Sequence, residues 1–390
     1  HFITKSGMVP PSFRSDAPLT AGPGSGIEWD GQGEYISLVM EFYRFTKDKA
    51  FLEAYFDKIE ASMRFLEELR NRTLVPSYCT GIPERERFIG ILPKSFSHEG
   101  YYPEMHSYWD DFWALKGWSD GAEAARILDR KDIEQWAVSQ HRLLLDSLSA
   151  SIKRTIDEKK IDYIPGCAEK GDFDPTSTSI VFFQCQSGLN ALPRKQLLAM
   201  YERYYNELKK RNEPGWNAGY SPYESRNIIA FIELKQYYRA WFLLDFLMKS
   251  RRPAEWNHWA EVVLSNKRTG CYIGDMPHTW AGSGFLNAVA LMLVKEKDEA
   301  LYLLDGVPLS WLKDKGITLK NRQTYFGTIT LKTFISNSIL YVDISGDAMP
   351  PKGFIINPPE KCSEIQININ GKHIKEPVKS ASFIQFTAKR

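Results

Sequence analysis

Between Arg252 and Phe285 the chain reads RPAEWNHWAEVVLSNKRTGCYIGDMPHTWAGSGF, which gathers five tryptophan or histidine rings and two glutamates around one connecting segment. Aromatic faces stack on pyranose rings, carboxylates and imidazoles reach hydroxyls, and a glutamate on a loop can act as acid or base, so this density has the chemistry of a sugar site. The plainer interpretation is a buried aromatic helix pair whose indole N–H groups are satisfied locally. The same residue types recur upstream in Glu28-Trp29-Asp30 and in Tyr108-Trp109-Asp110-Asp111-Phe112-Trp113. A carboxylate there could bind vicinal hydroxyls while Trp109 or Trp113 supplies a stacking face; alternatively Asp110 caps a helix and the tryptophans are core. In SPYESRN, Arg226 is placed to grip a hydroxyl pair or a carboxylate, or else to pair with Glu224 or Glu233.

Bulk properties narrow the partner. With 390 residues, 43% hydrophobic and 13% aromatic, the chain can bury a large core. A net charge of +2 from 50 basic and 48 acidic residues leaves no basic stripe, which argues against nucleic acid and for a neutral or mildly charged molecule or polymer. Five scattered cysteines without a CxxC pair suggest neither a zinc site nor a disulfide framework. Neither Asp172-Phe173-Asp174 nor Asp110-Asp111 fits a calcium loop, so no metal and no cofactor is expected. No apolar run approaches the roughly 18 residues of a membrane span. The first residue is His1 rather than methionine, a start compatible with an exported or periplasmic mature form or with a fragment of a longer protein.

The elements that must position these residues follow from periodicity. Residues 1–27, rich in Gly, Pro and Ser, predict an extended lead-in. Helical spacing then recurs in pairs: Glu34 to Phe45 with Phe51 to Leu69, capped by Asp48; Tyr108 to Leu128 with Ile133 to Ile156; Ser177 to Phe183 with Arg194 to Lys210; Tyr223 to Lys235 with Arg239 to Lys249; and Glu255 to Leu264 with Trp280 to Val294. Short turns lie inside each pair, while long segments rich in aromatic, Gly and acidic residues lead into the next. If first helices form an inner ring and second helices an outer one, those segments converge on one funnel. The expected fold is therefore mainly α, a toroid of helical hairpins over residues 28–312, with a small C-terminal β domain over 313–390. The β expectation rests on the runs Ile329–Phe334, Ile339–Ile344, Gly353–Asn357, Glu364–Ile369 and Ser382–Thr387, and on Asn370-Gly371 as a hairpin turn.

Two stretches carry a resemblance. Trp259-Ala260-Glu261, followed by Thr269-Gly270 and Pro277-His278-Thr279-Trp280-Ala281, resembles the segment of glucoamylase-like (α/α)6-toroid glycosidases in which an Ala-Glu carries the general base and a Pro-Leu-Thr-Trp-Ser turn opens the last inner helix. His278 replaces leucine and Ala281 replaces serine. Asp162-Tyr163-Ile164-Pro165-Gly166-Cys167-Ala168-Glu169 is similar in place to the loop that holds the general acid, and the tail is similar to the C-terminal β domain of rhamnosidase-like relatives. The resemblance implies a glycoside hydrolase that inverts, with Glu261 as base and Glu169 as acid, Asp172 and Asp174 being rival acids. It also implies an oligosaccharide or polysaccharide substrate and sugar contacts from the loop with Trp109, Asp110 and Asp111, to which Trp29, Asp30, Arg226, His278 and Trp280 are expected to add by their own chemistry. An acid at Glu169 calls for a raised pKa, from burial or from Asp172. A toroid lyase or epimerase using His106, His258 or His278 with Tyr101, Tyr102 or Tyr220, and a glycan-binding module without catalysis, are the alternatives.

Overall fold

A computed structural model describes residues 3–11, 27–251, 253–264, 266, 276–358, 364–374, 378–379 and 384–386. Most of the expected lead-in, along with Arg252, Thr269 and Gly270, lies outside the described residues. The chain divides into two compact units, His1–Lys210 and Arg211–Arg390.

The first unit is built from helical hairpins. Helix α1, Gly31–Thr46, and helix α2, Lys49–Leu74, are joined by Lys47 in the left-handed region and by Asp48, whose carboxylate accepts the Phe51 N–H at 2.9 Å. One turn, α3 (Ser97–Gly100), precedes the second hairpin of α4, Tyr108–Ile127, and α5, Lys131–Lys159. Helix α4 is buried on nearly every side, and its close approach to α1 depends on glycine. A Cβ on Gly33 would lie 2.0 Å from the Trp113 carbonyl oxygen, and one on Gly117 would lie 3.0 Å from Gly33 Cα. That contact aligns the N-terminal ends of α1 and α4, where Asp30, Trp109, Asp110 and Asp111 sit.

The third pair differs from expectation. Ser177 to Phe183 forms no continuous helix: α6 covers only Pro175–Thr178 and gives way to 3-10 turns at Ser179–Phe182 and Gln186–Ala191 before α7, Arg194–Lys210. Consecutive Ser, Thr and β-branched residues are weak helix formers, and Gly188 lies against Phe112, where a Cβ would meet the ring at 2.8 Å.

In the second unit a 3-10 turn, Pro222–Ser225, opens α8, Arg226–Glu233, which pairs with α9, Tyr237–Lys249; α10, Thr279–Leu293, follows. The helix expected over Glu255 to Leu264 does not form. A 3-10 turn at Ala254–Trp256 is followed by backbone that pairs as an isolated bridge, Tyr220 with Val263. Strand structure starts earlier than the sequence texture suggests, with β1, Val294–Lys297, and β2, Ala300–Leu303. After the single turn α11, Leu309–Leu312, come β3 (Ile317–Thr324), β4 (Gly327–Ser336), β5 (Ile339–Gly346), β6 (Phe354–Ile356), β7 (Glu364–Ile369), β8 (Lys372–His373), β9 (Val378–Lys379) and β10 (Ile384–Phe386). They form two sheets, ordered β1-β2-β6-β10-β9 and β3-β4-β5-β7-β8. Asn370 and Gly371, both at positive φ, make the β7–β8 turn as predicted.

A charged network ties the α8–α9 turn to the strands. Lys295 on β1 bonds Asp305 at 2.7 Å and also pairs with Glu233; Asp305 accepts Lys235 at 3.0 Å, and Lys297 reaches Glu233 at 2.8 Å. Lys295 and Asp305 are buried, so both charges depend on these partners. Among the described residues no helix is long and apolar enough to cross a membrane.

Candidate active site

In the first unit three of the long entry segments meet. Phe96 N–H donates to the Ile27 carbonyl at 2.8 Å, the Trp29 indole N–H donates to the Lys94 carbonyl at 3.2 Å, and Ser107 bridges Cys167. Tyr108 N–H to Gly166 O at 3.1 Å and Ala168 N–H to His106 O at 3.0 Å complete a short two-stranded pairing just before α4. This pairing sets Glu169 beside His106.

His106 is fully enclosed, stacked on Phe88 with ring centroids 4.5 Å apart. Its Nδ1 lies 2.6 Å from Glu169 Oε1 and its Nε2 lies 2.7 Å from the Tyr78 hydroxyl. The neutral tautomer with Nδ1–H satisfies both contacts, donating to Glu169 and accepting from Tyr78. The His106 backbone N–H donates to Glu169 Oε2 at 2.9 Å, and Lys94 Nζ stands 3.6 Å from Oε1. Burial pushes the Glu169 carboxyl up, but the bonds and charge of His106, with Lys94 behind them, outweigh it and hold the group below the usual carboxylate range. The raised pKa expected at this position is therefore not what its surroundings produce.

The rival acids have other partners. Asp172 accepts the Tyr101 hydroxyl at 3.0 Å and the Cys167 N–H at 3.1 Å, bracing its own loop. Asp174 accepts the Ser177 N–H at 2.9 Å as the cap of α6, with Pro175 in the first turn.

Asp30, Asp110 and Asp111 occupy the ends of α1 and α4. Asp30 accepts the Trp109 indole N–H at 2.8 Å, and Asp110 accepts the Ser95 hydroxyl at 2.5 Å. Asp111 accepts the Leu92 N–H at 2.9 Å. Asp110 and Asp111 are wholly enclosed, and Trp29 and Trp109 are buried, so these side chains meet protein groups where sugar hydroxyls were expected. Asp110 does not cap α4 either; Ser107 holds the N-cap position. Burial first, and the neighbouring Asp30 carboxylate second, push Asp110 well up; burial alone pushes Asp111 up to about 8 against the opposing Leu92 N–H and Arg70. One oxygen of each, Asp110 Oδ1 and Asp111 Oδ2, has no hydrogen-bond partner among the described residues.

The second unit assembles a separate group. The Tyr220–Val263 bridge, with N–O distances of 3.0 and 2.9 Å, lays the Glu261 segment against the start of α8. The Tyr223 hydroxyl lies 2.6 Å from His278 Nε2 and 3.4 Å from Glu261 Oε1, and His258 Nε2 donates to the His278 carbonyl at 2.9 Å. The Arg226 guanidinium lies over the Tyr223 ring at 5.0 Å and the Trp280 ring at 5.4 Å. Glu224 pairs instead with Arg211, and Glu233 with Lys295 and Lys297. Trp280 remains 43% exposed, an available stacking face, whereas Trp259 is buried and donates to the Leu247 carbonyl. Four expected residues, Glu261, Arg226, His278 and Trp280, thus come together.

Sequence reasoning missed Tyr78 and Tyr223. Each glutamate is joined to a tyrosine–histidine contact, through His106 in the first unit and through Tyr223 in the second. The only available signal was a tyrosine within each polar-aromatic segment or turn near a helix boundary, which spacing alone does not single out.

Neither a protein-family model nor a curated protein sequence matches the chain. Its fold is similar to that of the GH78 family rhamnosidase of Bacillus sp. GL1, at 14% identity and a TM-score of 0.53, covering 90% of this chain and 35% of the other. It is also similar to the alpha-L-rhamnosidase of Dictyoglumus thermophilum, at 11% identity and a TM-score of 0.54, covering 99% of this chain and 41% of the other. The chain thus spans between a third and a half of the length of these proteins. The likeness is one of fold, and the fold class is the expected one at the level of mainly α helical hairpins with a small C-terminal β region.

Proposed function

We propose that the protein is a glycoside hydrolase that removes a sugar from the end of an oligosaccharide or polysaccharide with inversion, residues 28–312 carrying the catalysis. The observation that carries this reading is the environment of the two glutamates. Each is backed by a tyrosine–histidine pair capable of moving or holding a proton, in a fold also found in rhamnosidases. In this reading Glu261 is the base that activates water and Glu169 belongs to the acid function. Arg226, His278 and Trp280 supply direct sugar contacts, while Asp30, Trp29, Trp109, Asp110 and Asp111 hold the segments that present Glu169.

The test is a panel of rhamnosides and other oligosaccharides followed by proton NMR. Release of a sugar of inverted configuration supports the reading. Glu261→Gln should lower turnover by about 10²–10⁴-fold while keeping the fold, and a fully active variant would remove Glu261 from the reaction. A second reading, proton abstraction by a lyase or epimerase, is favoured by the same tyrosine–histidine contacts, and an unsaturated uronate or an epimerised product would select it.

A further inference from the structure

An acid function placed at Glu169 meets a physical obstacle, because a carboxyl held ionised has no proton to give a leaving group. The proton must reside on a neighbour. His106 is enclosed and has both ring nitrogens engaged, one by Glu169 at 2.6 Å and one by Tyr78 at 2.7 Å. Tyr78 and Glu169 are both half-buried, and Tyr78 sits on the turn that follows α2. Arg85 clamps that turn, with its guanidinium 2.7 Å from the Pro76 carbonyl and 3.1 Å from the Tyr78 carbonyl. A hydroxyl can receive one proton while giving up another; the Glu169 carboxylate, engaged through both oxygens, is fixed in place instead.

We infer that Tyr78 is the group that exchanges a proton with the sugar substrate, with His106 as the proton store behind it and Glu169 as the fixed anion that stabilises the imidazolium. The inference rests on the hydrolase reading and assigns the acid within it. With His106 protonated, Nε2–H points at the Tyr78 oxygen. As the glycosidic C–O bond breaks, Tyr78 passes its hydroxyl proton to the leaving oxygen and takes the Nε2 proton in exchange. Tyr78 ends unchanged, His106 ends neutral with its proton on Nδ1, and the leaving sugar departs as an alcohol. Positive charge passes from the imidazolium to the anomeric carbon, where water adds and gives up its proton to a base. The arrangement follows the logic of a triad in which a buried carboxylate orients an imidazole that serves a hydroxyl. The other ionisable groups around it are Lys94, 3.6 Å from Glu169, and Cys79, Arg85 and Cys167.

The test uses the full chain and three proteins: wild type, Tyr78→Phe and Glu169→Gln, each checked for helix content. Nitrogen NMR of histidine-labelled protein follows the His106 ring through pH, and turnover is measured on glycosides with poor alkyl and good nitrophenyl leaving groups. Expected is an Nδ1–H tautomer for neutral His106. Tyr78→Phe should lose about 100-fold or more on the alkyl glycoside and much less on the nitrophenyl one. Glu169→Gln, which removes the anion behind the imidazole, should likewise lose most turnover on the alkyl glycoside. Wild-type turnover by Tyr78→Phe on the alkyl glycoside overturns the inference and leaves the hydrolase reading standing. An Nε2–H neutral tautomer also overturns it. A wild type that cleaves no glycoside while its NMR shows the expected tautomer removes the hydrolase reading, and with it the assignment of Tyr78 to a sugar.

Discussion

Replacing Asp111 by asparagine should make the protein more stable at alkaline pH and leave it nearly unchanged at acid pH. Asp111 is enclosed at the first turn of α4, one oxygen bonded to the Leu92 N–H and the other without a partner among the described residues. The nearby Arg70 guanidinium is committed to the Gly90 carbonyl at 3.0 Å, so burial dominates and the carboxyl's pKa is pushed up to about 8. A group that binds its proton more tightly when folded gives up stability as pH rises, from near its unfolded value of 3.8 to about 8, and nothing further changes above that. At about 1.4 kcal/mol per pH unit, the whole span is on the order of 6 kcal/mol, an upper bound for one site. Asparagine keeps the acceptor for Leu92 N–H and is neutral throughout. Urea unfolding followed by helix circular dichroism at about pH 5 and about pH 8.5 reads the difference directly. The variant should stay within about 2 kcal/mol of wild type at the lower pH and gain several at the higher. Parallel behaviour of the two proteins across that range would refute the idea that folding holds Asp111 protonated.

Three further outcomes can be checked alongside it. Gly33→Ala would place a Cβ 2.0 Å from the Trp113 carbonyl, so it should destabilise by about 3 kcal/mol and weaken the Trp109–Asp30 bond, seen as a lower unfolding midpoint and altered tryptophan fluorescence. Glu169 shows the opposite linkage to Asp111: its pKa is depressed, so its contribution is present above its unfolded value and disappears as pH falls through the folded one. Glu169→Gln should therefore be less stable than wild type near neutrality and converge with it in acid, by the same urea titrations. Tyr223→Phe removes the hydroxyl shared by His278 and Glu261 and should lower turnover with little change in helix content, measured by kcat on any glycoside the wild type cleaves.

How far the sequence reached depends on the kind of force at each place. The first two hairpins were legible because their apolar positions repeat at helical spacing and Asp48 is a local cap; Asn370-Gly371 was legible because two positive φ angles in a tight turn select those residues. The segment WNHWAEVVL carries similar spacing, yet its backbone is claimed by the bridge from Tyr220 to Val263, a partner more than forty residues away. Strands β1 and β2 went unseen because KEKDEALYL looks polar, its lysine being neutralised by Asp305 and Glu233 from elsewhere in the chain. In the candidate site, Glu169 could be named from its loop, but not its charge state. That state is set by burial opposed by His106, sixty-three residues earlier, and by Lys94. Burial likewise turned Asp110 and Asp111 from apparent surface ligands into enclosed groups.

The first sheet has a consequence for how this protein can be cut or recombined. Strand β2 lies before residue 313 and pairs in parallel with β6, which lies after it, Leu301 opposite Phe354 and Leu303 opposite Ile356. A break at that point would sever no loop of convenience; it would expose the hydrogen-bonding edge of β2 and unseat the strand next to Asp305. The C-terminal strands are thus no detachable module, and a shortened version ending at residue 312 should be sticky and poorly folded. For shuffling by exchange or by expression of parts, the compact unit Arg211–Arg390 is the piece that keeps β2 paired with β6.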